Sequence, residues 1–301
     1  MSKNKKKLHQ ISRRLPTHQL RRLREEQVKL DYQEIVQSLG ESGGSPYFLG
    51  YYSPTGIEFA LERYGFLDRL RRQGFEELKV VVNTHDPYKQ RIALYFKKKL
   101  PSHLLGELVV KRNHIMLYPP FQSKLNGRSF EVVVVEWLCM QNPQGRFSAK
   151  KPRLPGQKYP GLGMGSLMME LLVIMCRRLR VAGLLNMPEH FHNAQMYSSQ
   201  FFYLDPIFEA RRFAIARDLL KQYNLAEISW AIDLELVKEN DQPFKWFTAE
   251  QIIPLNPDLK EYLKSREYRR RVKTEAGLLH YSLDESEWQK KQQDIEGYVT
   301  C

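Results

Sequence analysis

The chain has 301 residues, 42% hydrophobic and 27% charged, values that exclude wholesale disorder and allow a sizeable buried core. No run approaches the roughly 20 apolar residues of a membrane span, and the basic N-terminus lacks the apolar segment of a secretory signal. Of the formal net charge of +13, +8 sits in residues 1–30, where ten Lys or Arg face two Glu. The body is only mildly basic, so the charge argues for an arm that touches nucleic acid or an acidic partner, or for a solvated tail, rather than for a nucleic-acid-binding body.

The elements follow in chain order. Behind the arm, Glu25 to Leu39 has helical spacing (Val28, Leu30, Ile35, Val36, Leu39), with Gly40 as its stop and Glu41 to Pro46 as a joint. Thr55 is placed to cap a helix reaching about Gln73. Strands are expected at Leu78–Asn83, Arg91–Phe96, Glu107–Leu117 and Phe130–Met140. The last, rich in β-branched residues, reads as a central strand covered on both faces.

A Pro- and Gly-rich loop, 141–160, leads into Gly161-Leu162-Gly163-Met164-Gly165. The spacing predicts a helix over Ser166–Arg180 ended by Gly183, a strand over Leu184–Phe191, helices over Asn193–Gln200 and Ile207–Gln222, and a strand over Glu227–Val237. Beyond Thr248 the chain is polar, with a basic helix expected at Tyr262–Lys273. The element order indicates an α/β fold of the α+β type, a mixed, mainly antiparallel central sheet flanked by helices. Three segments are expected: a basic arm and helix (1–45), a core domain (46–247) and a C-terminal extension (248–301).

The chemistry centres on the glycine loop between a strong strand and a long helix. A helix start offers unpaired N–H groups at a positive dipole end, and glycines let the backbone approach a phosphate closely. The loop is neither a Rossmann GxGxxG nor a Walker GxxxxGK[ST] motif. It resembles the pyrophosphate loop of the GNAT acetyltransferase superfamily, [RQ]xxGxG[AG], with Pro160 where Arg or Gln is usual and Gln157 and Lys158 close by. Downstream, Asn193, Ala194, Tyr197 and Phe202 resemble part of that family's next helix, NxxAxxxYxxxGF.

The resemblance implies an acyl-CoA N-acyltransferase-like fold and transfer of an acetyl or other acyl group from acetyl-CoA or another acyl-CoA to a small-molecule or peptide amine. It implies that Leu162, Gly163, Met164, Gly165 and Ser166 hold the diphosphate, with Leu138, Met140 and Asn193 along the rest of the donor. The Leu138 N–H is the implied oxyanion donor, and Tyr197 the acid that protonates the departing thiolate.

Glu136, His190 and His192 are candidate bases. For Glu136 a paired rim carboxylate is the competing reading. His190 and His192 point the same way on an extended chain, but no third ligand accompanies them, so no metal is expected. Met164, Met168, Met169 and Met175 read as core filler. Cys139, Cys176 and Cys301 are scattered and odd in number, which argues against disulfides and suits a cytoplasmic protein. Two alternatives stay open: the same fold with an acyl carrier protein or aminoacyl-tRNA donor, and a non-enzymatic nucleic-acid- or protein-binding module.

Overall fold

The structure is a computed structural model that describes residues 3–23 and 45–295. The helix expected over Glu25–Leu39 and the joint after it fall almost wholly outside the described residues. A seven-stranded sheet in the order β1-β2-β3-β4-β5-β9-β6 forms the framework, with a separate three-stranded sheet in the order β10-β7-β8. The fold is thus mixed α/β with a mostly antiparallel sheet and helices. Two compact units divide the chain: residues 1–113, 133–143 and 161–180, and residues 114–132, 144–160 and 181–301.

The first unit begins with α1 (Lys3–Arg14) and α2 (Thr17–Leu20). The basic arm is not a free tail. Leu8, Leu15 and Leu20 are buried. Lys5 pairs with Glu170 at 2.6 Å, and Arg178 donates to the Leu15 carbonyl at 3.2 Å. Lys6, Lys7, Arg13 and Arg14 remain exposed.

The next helix differs from expectation at both ends. Ser53, not Thr55, is its N-cap, accepting from Gly56 N–H, and Pro54 takes the first helical position. Gly65, in the left-handed region, then splits the expected single helix into α3 (Pro54–Arg63) and α4 (Phe66–Arg71).

β1 (Lys79–Asn83), β2 (Gln90–Tyr95), β3 (Leu104–Leu117) and β4 (Arg128–Met140) match the expected strands closely. The first three pair antiparallel. In β4, Val132, Val133 and Val134 are buried, but from Glu136 onward the strand is half-buried or exposed, and Trp137 is 46% exposed. Burial on both faces therefore holds only for the middle of β4, around Val132–Val134. The helix α5 (Gly165–Leu179) stops at Arg180 in the left-handed region, three residues before Gly183.

The second unit holds β5 (Gly183–Asn186), α6 (Phe191–Met196), β6 (Phe202–Tyr203), α7 (Pro206–Leu219) and α8 (Leu225–Asp233). β5 stops five residues short of its expected end, because Pro188 breaks the extended run. The strand expected over Glu227–Val237 is instead mostly α8. Asn224 and Glu227 form a capping box at its start, and that local signal outweighs the apolar alternation.

β7 (Val237–Glu239), β8 (Gln242–Pro243) and β9 (Gln251–Pro254) follow. The segment expected to be a C-terminal extension supplies β9, which pairs with both β5 and β6. The basic helix near Tyr262 is two helices, α9 (Pro257–Lys264) and α10 (Arg266–Gly277). Ser265 ends one and caps the other. β10 (Tyr281–Leu283) and α11 (Glu285–Lys291) complete the unit. Its core gathers Ala210, Ala214, Ile228, Ile232, Val237, Tyr281 and Trp288. Among the described residues no helix is long and apolar enough to cross a membrane.

Candidate functional site

The glycine loop lies in the first unit, with its side chains directed inward. Leu162 and Met164 are buried in a core with Phe66, Phe75, Phe96, Leu105 and Leu167, while Gly161, Gly163 and Ser166 face outward. Two bonds pin the loop: Gly161 bridges Gln141 at the end of β4, and Gln73 Nε2 donates to the Leu162 carbonyl at 3.4 Å.

Gly163 has φ +68, and a Cβ placed there would meet nothing within 4 Å. Glycine is therefore required by conformation and not by crowding. No side chain caps α5 at Met164, and the first backbone donor of the helix with an acceptor among the described residues is Met168, bonded to the Met164 carbonyl at 3.0 Å. The N–H groups of residues 163–167 have no backbone acceptor among the described residues. A buried inner face and main-chain amides without a backbone acceptor at the start of a long helix are features that an anionic group can use.

At the end of β4, Leu138 and Met140 are half-buried and Glu136 is exposed. Glu136 pairs with Lys111 Nζ at 2.6 Å. This engages its carboxylate as a rim ion pair, the competing reading, although the partner is a lysine on β3. Cys139 is half-buried, and burial pushes its thiol up to about 11, so it stays protonated near neutral pH and is a poor nucleophile. Met164 and Met169 are core residues as expected, whereas Met168 and Met175 are only half-buried.

His190, His192, Asn193 and Tyr197 belong to the second unit. His190 caps α6 with an extended backbone, and its ring stacks on that of His192 at 5.4 Å. The two imidazoles thus share a side, as expected, even though the chain turns helical between them.

Their environments differ. His190 Nδ1 lies 2.9 Å from Asp233 Oδ1 at the end of α8. With the proton on Nδ1, the carboxylate orients the ring and leaves Nε2 as a proton acceptor. A Cβ on Gly156 would lie 3.0 Å from Nε2, and Gly156 also has φ +74, so any other residue there would crowd the ring.

Two tryptophans hold the surroundings. Trp246 Nε1 donates to Pro188 O at 3.0 Å, and Trp230 Nε1 donates to Arg153 O at 2.7 Å. Asp233 and Gly156 escaped the sequence reading because the first lay in a segment read as strand and the second in an unpatterned loop.

His192 is 3% exposed, and its Nδ1 has no partner among the described residues. Burial first, then the neighbouring His190, lowers its pKa to about 3. It remains neutral and sealed, which takes it out of the role of a base and leaves His190. The folded pKa lies below the unfolded value, so His192 favours unfolding as the pH falls from about 6.5 toward 3. About 2 kcal/mol of stability is expected to be lost between about pH 7.5 and 5 through this residue alone. Urea unfolding of the wild type and of His192→Phe at both pH values measures it; equal pH dependence in the two proteins would refute the assignment.

Asn193 and Tyr197 are half-buried, and Tyr197 is the C-terminal residue of the α6 turn. Burial raises the Tyr197 pKa, so the hydroxyl keeps its proton near neutral pH. Among the described residues no group of three or more His, Cys, Asp or Glu converges as a metal site.

No protein-family model matches this chain, and no curated protein matches it. The functional reading therefore rests on the residues and on the resemblance of two short motifs.

Proposed function

We propose that the chain is an N-acyltransferase of the GNAT type that uses an acyl-CoA donor. One observation carries the reading: amides at residues 163–167 with no backbone acceptor among the described residues, in a loop held by a buried Leu162 and Met164 and opening the long helix α5. In this reading the loop grips the diphosphate through main-chain N–H groups and the positive end of α5. The missing arginine or glutamine at Pro160 leaves these amides untouched.

The chemistry assigns each proton. The amine nitrogen bonds to the thioester carbon, the carbonyl electrons move to oxygen, and a main-chain N–H such as that of Leu138 stabilises the oxyanion. The amine must give its proton to a base; in the second unit, His190 Nε2, with its ring oriented by Asp233 as a positioning residue, is a group of that kind. The carbonyl re-forms as the C–S bond breaks, and the departing thiolate takes a proton from an acid, the role that the motif resemblance gives to the Tyr197 hydroxyl.

Calorimetry of the purified protein with CoA and acetyl-CoA tests the reading. Binding with a dissociation constant of about 100 µM or tighter is expected. Absence of any CoA binding would remove the donor assignment.

A second reading has its own support. Buried Leu8 and Leu15 hold α1 against the first unit with Lys6, Lys7, Arg13 and Arg14 exposed, a fixed cationic face suited to an acyl carrier protein or a charged tRNA as donor. Activity that falls steeply with salt, with CoA thioesters failing as donors, would favour it.

A further inference from the structure

The first unit contains a void that close packing does not explain. A cavity of about 110 Å³ lies between α3, α5 and the sheet. Its walls are apolar stripes at helical spacing: Ile57, Ala60, Leu61 and Tyr64 at the α3 side, and Met168, Leu171, Met175 and Arg178 on α5. Protein interiors are normally packed to crystal density, and an empty apolar space of this size costs stability. Ala60, Leu61, Met168, Leu171 and Met175 are only half-buried, so they retain surface that a filled core would cover.

The two charged residues at the cavity are engaged elsewhere. Glu107 pairs with Arg91, and Arg178 donates to main-chain carbonyls of the α1 segment. The buried Nε of Arg178, however, has no partner among the described residues.

The cavity's shape and position narrow the occupant. From Met168 to Arg178 its α5 wall spans ten residues, about 15 Å, so the space is long relative to its volume. It suits a linear chain better than a ring system. Methionine, which lines it at positions 140, 168 and 175, adapts to a flexible aliphatic guest. The lining includes Leu162 of the glycine loop and Met140 at the end of β4. These are the segments assigned above to the donor's diphosphate and pantetheine arm.

We infer that this cavity receives the aliphatic chain of the acyl donor, so the transferred group is a medium-length saturated acyl chain and not acetyl. The inference rests on the donor reading above, but the cavity can be tested apart from it.

The test compares acetyl-CoA, decanoyl-CoA and free decanoate by calorimetry on the full chain, below the micellar concentration of each. Decanoyl-CoA is expected to bind at least about tenfold tighter than acetyl-CoA, since each buried methylene adds to affinity. Filling the cavity with Met175→Trp, or more mildly with Ala60→Leu, removes that gain while acetyl-CoA affinity stays unchanged. Thermal melts identify a variant that fails to fold, and the milder one then decides.

The outcomes separate the two ideas. Equal binding of acetyl- and decanoyl-CoA overturns the chain pocket and leaves the donor reading standing. Binding of decanoate alone, lost in the filled variants, sustains an alkyl pocket served by free fatty acid or lipid and sinks the CoA donor. Failure of all three ligands overturns both.

Discussion

Gly163→Val is expected to weaken CoA binding at least about 100-fold while the protein still folds. The position has φ +68, where a β-branched residue is strained, and a Cβ there meets nothing within 4 Å. The substitution therefore does not wedge the core apart. The local cost of forcing a non-glycine residue into the left-handed region is roughly 1–2 kcal/mol, within the stability margin of most domains.

What changes is the loop's ability to hold its amides where the proposed diphosphate would meet them. Relieving the strain rotates the peptides on either side of residue 163, and hydrogen bonds to a charged group are each worth about 1.5–3 kcal/mol. Losing two of them accounts for the expected effect. Calorimetry with CoA, alongside a thermal melt, reads both halves of the prediction. A folded variant with normal affinity would end the assignment of the loop to a diphosphate. Buried Leu162 and Met164 would then be explained by packing alone.

Tyr197→Phe is expected to lower kcat by about 100-fold or more with little change in donor affinity, the range for loss of a general acid. The ring is half-buried, so phenylalanine preserves its packing and only the hydroxyl is removed. Burial raises the phenol's pKa, which keeps the proton available for the thiolate at neutral pH. A fall in affinity with an unchanged rate would mean that the hydroxyl binds the donor and does not protonate it. If neither quantity moves, Tyr197 has no part in the reaction.

The two substitutions probe different units, one the main chain of the loop, the other a side chain after α6. Their effects are expected to be independent in stability and to diverge in kinetics: Gly163→Val in binding, Tyr197→Phe in turnover.

Much of the framework was legible where a local pattern and its environment agreed. β1 to β4 carry β-branched runs between turn residues, and α5 carries a long apolar helix after three glycines. Each lies within a few residues of where the pattern puts it. The errors have local causes. Ile228, Trp230 and Ile232 alternate as a strand would, but the capping box of Asn224 and Glu227 starts a helix there. Single residues, Gly65 and Ser265, divide helices that apolar spacing alone joined.

For the site, the residue types at the glycine loop and at His190 were readable, but their circumstances were not. That Lys111 occupies Glu136, that His192 is sealed while its stacked neighbour meets Asp233, and that Met168 and Met175 border a void all depend on residues distant in the chain.

The amino-acid sequence by itself determined that the segments of β1 to β4 become strands, that α5 becomes a long helix, and where the loop glycines fall. These follow from propensity, turn chemistry and alternation over a few neighbouring residues. Only the tertiary structure decided that β9 enters the sheet between β5 and β6, that the basic arm is anchored through Leu8, Leu15 and Arg178, and that an apolar space persists between α3 and α5. Those outcomes depend on contacts between distant segments. Their free energy comes from pairing and packing surfaces that no local window of sequence contains.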